Sequence, residues 1–237
     1  MDYFREALEG KIGVVSGAGN GQGMAVVKLL LENGARIIAF SRSGNKPAIS
    51  HENLIISKGD STDQSSLGQI AKIVEQKYGK LDFLYNNHGI FSPRSEEIDG
   101  KKAIEFFQGN VVASMNTVSE FLHLFKDGGS IVNVGASPAI YKHSSLEYAV
   151  TKRAVEELTR KMASLLKPKN VRVNALMPGS VDSSKQIEEI KPFSFSQVAG
   201  KSSVSTLEVA YVALFLLSSL SFGINGQAIY VDGGLGL

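Results

Sequence analysis

The sequence predicts an α/β fold: a parallel sheet of about seven strands with helices on both faces. Three observations carry the prediction. Short β-branched runs alternate with longer segments of helical period along the whole chain. Several of those runs, IGVV and RIIAF above all, are apolar on both sides, as a strand covered on both faces needs. Two glycines, Gly34 and Gly79, end the first two helical patterns before the chain returns to strand.

Each element follows in order. IGVVS at 12–16 reads as the first strand, then a glycine stretch opens the helical GMAVVKLLLEN, which Gly34 stops. ARIIAFS at 35–41 and NLIISKGD at 53–60 are the second and third strands. SLGQIAKIVEQKYG is a helix closed by Gly79, and LDFLYNN at 81–87 returns to strand. A helix is predicted from about 101 to 125, a strand over GSIVNVG at 129–135, and a helix over 147–166. VRVNALM at 171–177, a helix over 206–218 and QAIYVDGG at 227–234 complete the pattern. This is a Rossmann-like, doubly wound arrangement, in which ligands lie beyond the carboxyl ends of the strands. No repeat, low-complexity tract or linker divides the chain, so residues 1–237 read as one domain.

Composition narrows the chemistry. Twenty-five basic and 23 acidic side chains leave a net charge of +2 with no basic block, which argues against a nucleic-acid partner. The longest apolar runs, such as VALFLL at 212–217, are too short to span a bilayer, and MDYFREALEG has no signal-peptide core. A soluble cytoplasmic protein is the expectation. With no cysteine, disulfides, thiolate nucleophiles and sulfur-ligated metals are excluded. His51, His88, His123 and His143 are scattered with no metal-binding spacing, and GxSxG is absent, so no metal site and no serine hydrolase is expected.

SGAGNGQG places Ser16, Gly17, Gly19, Asn20, Gly21, Gln22 and Gly23 between the first strand and the first helix. Missing Cβ atoms let the backbone turn tightly against a pyrophosphate, and the helix N-terminus supplies amides and partial positive charge. At the end of the second strand, where NAD binders place a carboxylate, stand Ser41 and Arg42. An arginine clamps a 2′-phosphate, helped by the hydroxyls of Ser41 and Ser43, so NADP(H) is favoured over NAD(H). Asp60, after the third strand, is placed to meet the adenine edge or to form a turn. Tyr148 and Lys152 are one helical turn apart on one face. An ammonium beside a phenol is expected to lower its pKa toward a usable acid/base, and its remaining donors suit ribose hydroxyls.

These motifs together resemble the short-chain dehydrogenase/reductase family in its one-domain form, over nearly the whole length. Ser16–Gly23 is similar to the family's TGxxxGxG, and Asn86, Asn87, His88 and Gly89 to its NNAG. Tyr148–Lys152 matches YxxxK, while VRVNALMPG at 171–179 and GQAIYVDGG at 226–234 resemble two further family segments. The resemblance implies an NAD(P)(H)-dependent oxidoreductase interconverting an alcohol and a ketone or aldehyde. It makes Tyr148 the acid/base and Lys152 its partner, and gives Asn110 a place in the proton relay. It also sets Asn87, Gly89, Pro178, Gly179, Val181 and Ser183 along the cofactor. It further implies a homodimer or homotetramer built on the helix after the fourth strand and the helix bearing Tyr148.

The sequence departs from the family at several positions. The family's serine at the end of the fifth strand falls on Ala136, with Ser137 next along. Either a bulge brings Ser137 into the serine's place, the reading preferred at this stage, or the hydroxyl is missing; Ser144 and Ser145 are further substitutes. Gln22 replaces an aliphatic residue, and the imidazole of His88 replaces a methyl near the cofactor. His143 is a candidate for the substrate mouth. The stretch from about 181 to 206, with Phe193, Phe195, Lys185 and Lys191, reads as a substrate lid. The rival reading is a nucleotide-binding protein of the same fold that has weak or lost catalysis.

Overall fold

The computed structural model describes residues 2–44, 49–183 and 202–235. Its main sheet holds the seven predicted strands: β1 (Ile12–Ser16), β2 (Arg36–Ser41), β3 (Leu54–Lys58), β4 (Phe83–Asn86), β5 (Gly129–Val134), β6 (Val171–Pro178) and β9 (Ala228–Val231). They lie in the order β3-β2-β1-β4-β5-β6-β9, every neighbouring pair parallel. A separate two-stranded ladder pairs β7 (Val181–Asp182) with β8 (Val204–Ser205).

Strand alternation divides the core into two layers. On one face Val15, Ile37, Ala39, Phe83 and Tyr85 meet α2 (Gly21–Glu32) and α7 (Thr206–Leu217). On the other, Val14, Ile38, Phe40, Leu84 and Ile131 meet α3 (Gln64–Tyr78), α5 (Ala113–Phe121) and α6 (Leu146–Leu166). Both sides of each central strand are therefore apolar, and β1 is buried at all its positions. The helix ends are set by local chemistry. Asp63 caps α3 by accepting from the Ser65 amide, and Gly79 closes it with φ +71°. Ser205 and Glu208 form a reciprocal capping box on α7. Ser145 caps α6, accepting from the amide of Tyr148 itself.

Three features escape the periodicity of the sequence. A short N-terminal helix, α1 (Tyr3–Leu8), is capped by Asp2 and buries only Leu8. The single helix predicted over 101–125 is α4 (Gly100–Phe107), a π-helical turn at Gln108–Val112, and α5. The apolar period continues through the π turn, so nothing in the hydrophobic pattern marks its extra residue. Pro138–His143 forms a 3₁₀ segment whose first turn is capped by Ser137. On the outer face of α6, Glu156 is nearly buried between Arg153 and Arg160 and also accepts from the Tyr230 hydroxyl of β9.

Leu84, wholly buried in the sheet, tests this packing. Leu84→Ala is expected to lower unfolding stability by about 2–5 kcal/mol in urea titrations followed by circular dichroism. Gly13→Ala should destabilise by overpacking instead, because its Cβ would fall 1.9 Å from the Phe83 ring.

Candidate active site

The strand order turns at β1 and β4, which run side by side with Ser16 in register with Asn86. Beyond their carboxyl ends a crevice opens, as the doubly wound topology requires. Two cavities occupy it and share Gly89 and Ile90 in their walls. The larger, about 350 Å³, runs from the glycine loop to the ends of β2 and β3; the smaller, about 160 Å³, contains Tyr148 and Lys152.

At two positions, Gly17 and Gly23, contacts in the glycine loop leave no space for a side chain. Gly17 has φ +64°, and a Cβ there would lie 2.8 Å from the amide nitrogen of His88. A Cβ on Gly23 would lie 2.5 Å from Asn87 Nδ2 and 2.6 Å from the Gly17 carbonyl. Asn87 stitches the two loops by donating from Nδ2 to the Gly17 carbonyl at 2.9 Å and accepting from Gln22 Nε2 at 2.7 Å. Ser16 is buried; its Oγ accepts from the Asn87 amide and lies 2.8 Å from His88 Nδ1. This backbone-lined cradle ahead of the α2 N-terminus suits a pyrophosphate, so the residues present fit a dinucleotide.

At the adenosine end, Gly19, Asn20, Ser41, Arg42, Ser43 and Asp60 line the larger cavity. The hydroxyls of Ser41 and Ser43 stand 3.3 Å apart. One oxygen of Asp60 accepts from the amide and hydroxyl of Thr62, so this carboxylate also serves as a turn residue. His88 lies in the same wall, with its Nε2 buried and without a partner among the described residues. Burial, and secondarily the charge of Lys152, lowers its pKa to about 3.

At the other end, Lys152 is buried and donates from Nζ to the Val134 carbonyl at 2.9 Å. Its Nζ lies 5.9 Å from the centre of the Tyr148 ring. Asn110 sits in the π turn, where its Oδ1 accepts from the Ile90 amide at 2.8 Å. Its Nδ2 donates to the Ile90 carbonyl and to Thr151 Oγ1 at 3.0 Å. The side chain thus ties the loop after β4 to α6. Gly89 leaves the space between Asn110 and Lys152: a Cβ there would lie 2.9 Å from Asn110 Oδ1 and 3.0 Å from Lys152 Nζ. Pro178 ends β6, and with Gly179 and Val181 it walls the smaller cavity. Ser183, just past β7, is exposed and outside that wall.

Electrostatics corrects one expectation. The phenol of Tyr148 is pushed well above its ordinary value, first by burial and then by the neighbouring Tyr141 phenol. Burial also lowers Lys152, to about 8. Desolvation therefore outweighs the ammonium, and the phenol keeps its proton at neutral pH.

Ser137 requires a second correction. It is fully buried, its Oγ donates to Asp232 Oδ2 at 2.5 Å and accepts from the Ala139 amide, and it is absent from the wall of the smaller cavity. No bulge brings it into the missing serine's place: β5 pairs regularly with β6 to Val134, and the Ser137 amide continues the ladder to the Pro178 carbonyl. Ala136 packs instead with Tyr148 and Phe106. Ser145 is committed to the α6 cap, while the Ser144 hydroxyl donates to the Tyr141 carbonyl. His143 is exposed and outside the cavity wall. Lys185, Lys191, Phe193 and Phe195 of the predicted lid lie outside the described residues.

The structure adds Ile90, Phe91, Ile140 and Thr151 to the site's surroundings. Thr151 was hidden as one of the unspecified positions of YxxxK. Nothing in the sequence signalled Phe91, whose ring stands edge-on to Tyr148 at 5.1 Å between centroids.

Lys152 and the buried phenols give opposing pH dependences. Lys152 binds its proton more weakly when folded (about 8) than when unfolded (10.5), so stability rises with pH from about 8 toward 10. Above about pH 10 it falls, because the unfolded phenols of Tyr148, Tyr85 and Tyr141 ionise while the folded ones, raised by burial, resist. Urea midpoints between pH 7 and 11 should follow this rise and fall, and Lys152→Met should abolish the rise.

Comparison with known proteins agrees with this architecture. The family model described as Enoyl-(Acyl carrier protein) reductase matches residues 17–236. The chain is 32% identical to the 3-oxoacyl-[acyl-carrier-protein] reductase FabG of Thermotoga maritima, covering 96% of this chain and 98% of that one. It is 30% identical to Dehydrogenase/reductase SDR family member 4 of Caenorhabditis elegans, covering 96% of each. In fold it is similar to the ligand-free aldohexose dehydrogenase of Thermoplasma acidophilum, with a TM-score of 0.80 and 24% identity over 96% of this chain and 94% of that one. With the cradle, the Tyr148/Lys152 pair and these relatives in view, the chain belongs to the short-chain dehydrogenase/reductase family and is an NAD(P)(H)-dependent oxidoreductase of the alcohol dehydrogenase/carbonyl reductase type.

Proposed function

We propose that the protein reduces a ketone or aldehyde, with Tyr148 delivering a proton to the carbonyl oxygen. The observation that carries this reading is the buried, protonated phenol in one cavity with the Lys152 ammonium. The nicotinamide, when bound, supplies or accepts hydride at the carbonyl carbon. Tyr148 gives its proton to the oxygen as negative charge develops there. Lys152 keeps positive charge nearby and has donors left over for the nucleotide's ribose. Asn110 holds the loop carrying Gly89 and Ile90 against α6, and so keeps Lys152 in place. Gly17, Gly19, Asn20, Gly21 and Gly23 form the pyrophosphate cradle, with Asn87 and Gln22 as its inner wall.

NADP(H) is the preferred cofactor in this reading. Support comes from Ser41, Arg42 and Ser43, which stand at the end of β2 with no carboxylate among them and line the adenosine cavity, where Asp60 stands on the β3 side. A homodimer or homotetramer fits the exposed apolar side chains of Ile104, Met115, Val150 and Leu165 on α4, α5 and α6. The second reading, nucleotide binding with weakened catalysis, is favoured by one observation: Ala136 brings no hydroxyl, and that of Ser137 is held by Asp232.

Following the reduced-nicotinamide absorbance separates these readings. Tyr148→Phe should lower carbonyl reduction at least about 100-fold while nucleotide still binds. Ala136→Ser should raise kcat by about tenfold or more if a missing donor limits the rate; no gain with a full wild-type rate removes the second reading. Arg42→Ala should weaken NADPH about tenfold or more and NADH far less; equal losses reject the NADP preference. Light scattering that finds a monomer rejects the oligomer.

A further inference from the structure

Phe91 is 62% exposed, yet it lies on the loop between β4 and α4 with its ring at 82° to that of Tyr148. A large apolar side chain left mostly in water beside the Tyr148 phenol forgoes much of the stabilisation that burial would give it. Around it the approach to Tyr148 is apolar. Ile90 and Ile140 pack with Tyr148 and Ala136, and Val181 stands in the same cavity wall.

The polar groups of that cavity are committed elsewhere. Gln22 and Asn87 bond to each other, Asn87 bonds to the Gly17 carbonyl, and Lys152 bonds to the Val134 carbonyl. Lys152 is the one charged side chain in the wall among the described residues. Among the described residues, Phe91 and Tyr148 thus share a wall whose neighbouring side chains Ile90, Ile140 and Val181 are apolar. A polyhydroxylated chain would bury several hydroxyls against that wall without partners among the described apolar side chains. Among the described residues of that wall, an anionic group would meet no cation but Lys152.

We infer that the substrate carbonyl bears a flat apolar substituent, an aryl group, that lies on Phe91. The inference rests on the Tyr148 reading for where the carbonyl sits. Phe91 then selects among carbonyl compounds by covering the substituent, and the replacement of serine by Ala136 extends the same apolar wall.

Acetophenone, acetone, glucose and the N-acetylcysteamine thioester of acetoacetate make a discriminating panel with NADPH. Saturation-transfer NMR of acetophenone, with NADP⁺ present, reads binding apart from turnover. The wild-type protein should show its highest kcat/KM on acetophenone. Phe91→Ala should reduce that value about tenfold or more, chiefly through KM, and weaken the NMR response; Phe91→Leu should restore most of both. Acetone, lacking the ring, should lose much less. Preference for glucose or the thioester overturns the inference, and so does an equal loss on acetone and acetophenone, which would leave Phe91 as a prop for Tyr148. If nothing is reduced but acetophenone binds and Phe91→Ala weakens it, the chemistry assigned to Tyr148 fails while the recognition assigned to Phe91 stands. Absence of acetophenone binding ends the inference.

Discussion

The site depends on how closely the loops after β1 and β4 approach each other. Gly17 meets the His88 amide at a distance no Cβ tolerates, and Asn87 fills the space that a side chain on Gly23 would take. The Ser16 hydroxyl completes the seam. Parallel pairing brings both strand ends to one edge, but only missing side chains let the loops close into a backbone-lined cradle. The position of Gly89 beside Lys152, and through Asn110 that of α6, follows from this seam.

Burial then sets the chemistry. One act of desolvation moves two groups in opposite senses: it keeps Tyr148 protonated and makes the Lys152 charge costly. The lysine's single short contact, to a backbone carbonyl, offsets part of that cost and leaves donors over. The π turn serves the same end. By taking one residue more than an α turn, it places Asn110 where one amide reaches both the β4 loop and Thr151.

Much of this was legible in the chain. Doubly apolar runs marked the strands because both sheet faces are covered, and glycine spacing marked the cradle because its geometry excludes Cβ atoms. Tyr148 and Lys152 were readable because helical periodicity fixes i and i+4 on one face. Three things were not. The π turn leaves the apolar period intact. The orientation of Ser137 depends on Asp232, 95 residues away, which local pattern does not encode. The pKa of Tyr148 depends on how many atoms surround it, and a nearby charge in the sequence predicted the opposite sign.

The bond between Ser137 and Asp232 has an architectural corollary. Asp232 follows β9, the outermost strand on its side of the sheet, yet it grips the residue that starts the 3₁₀ segment leading to α6. Together with the grip of Tyr230 on Glu156, this makes the sheet's far margin a brace for α6. Fraying at that margin would loosen the wall around Tyr148 without touching any group that meets substrate.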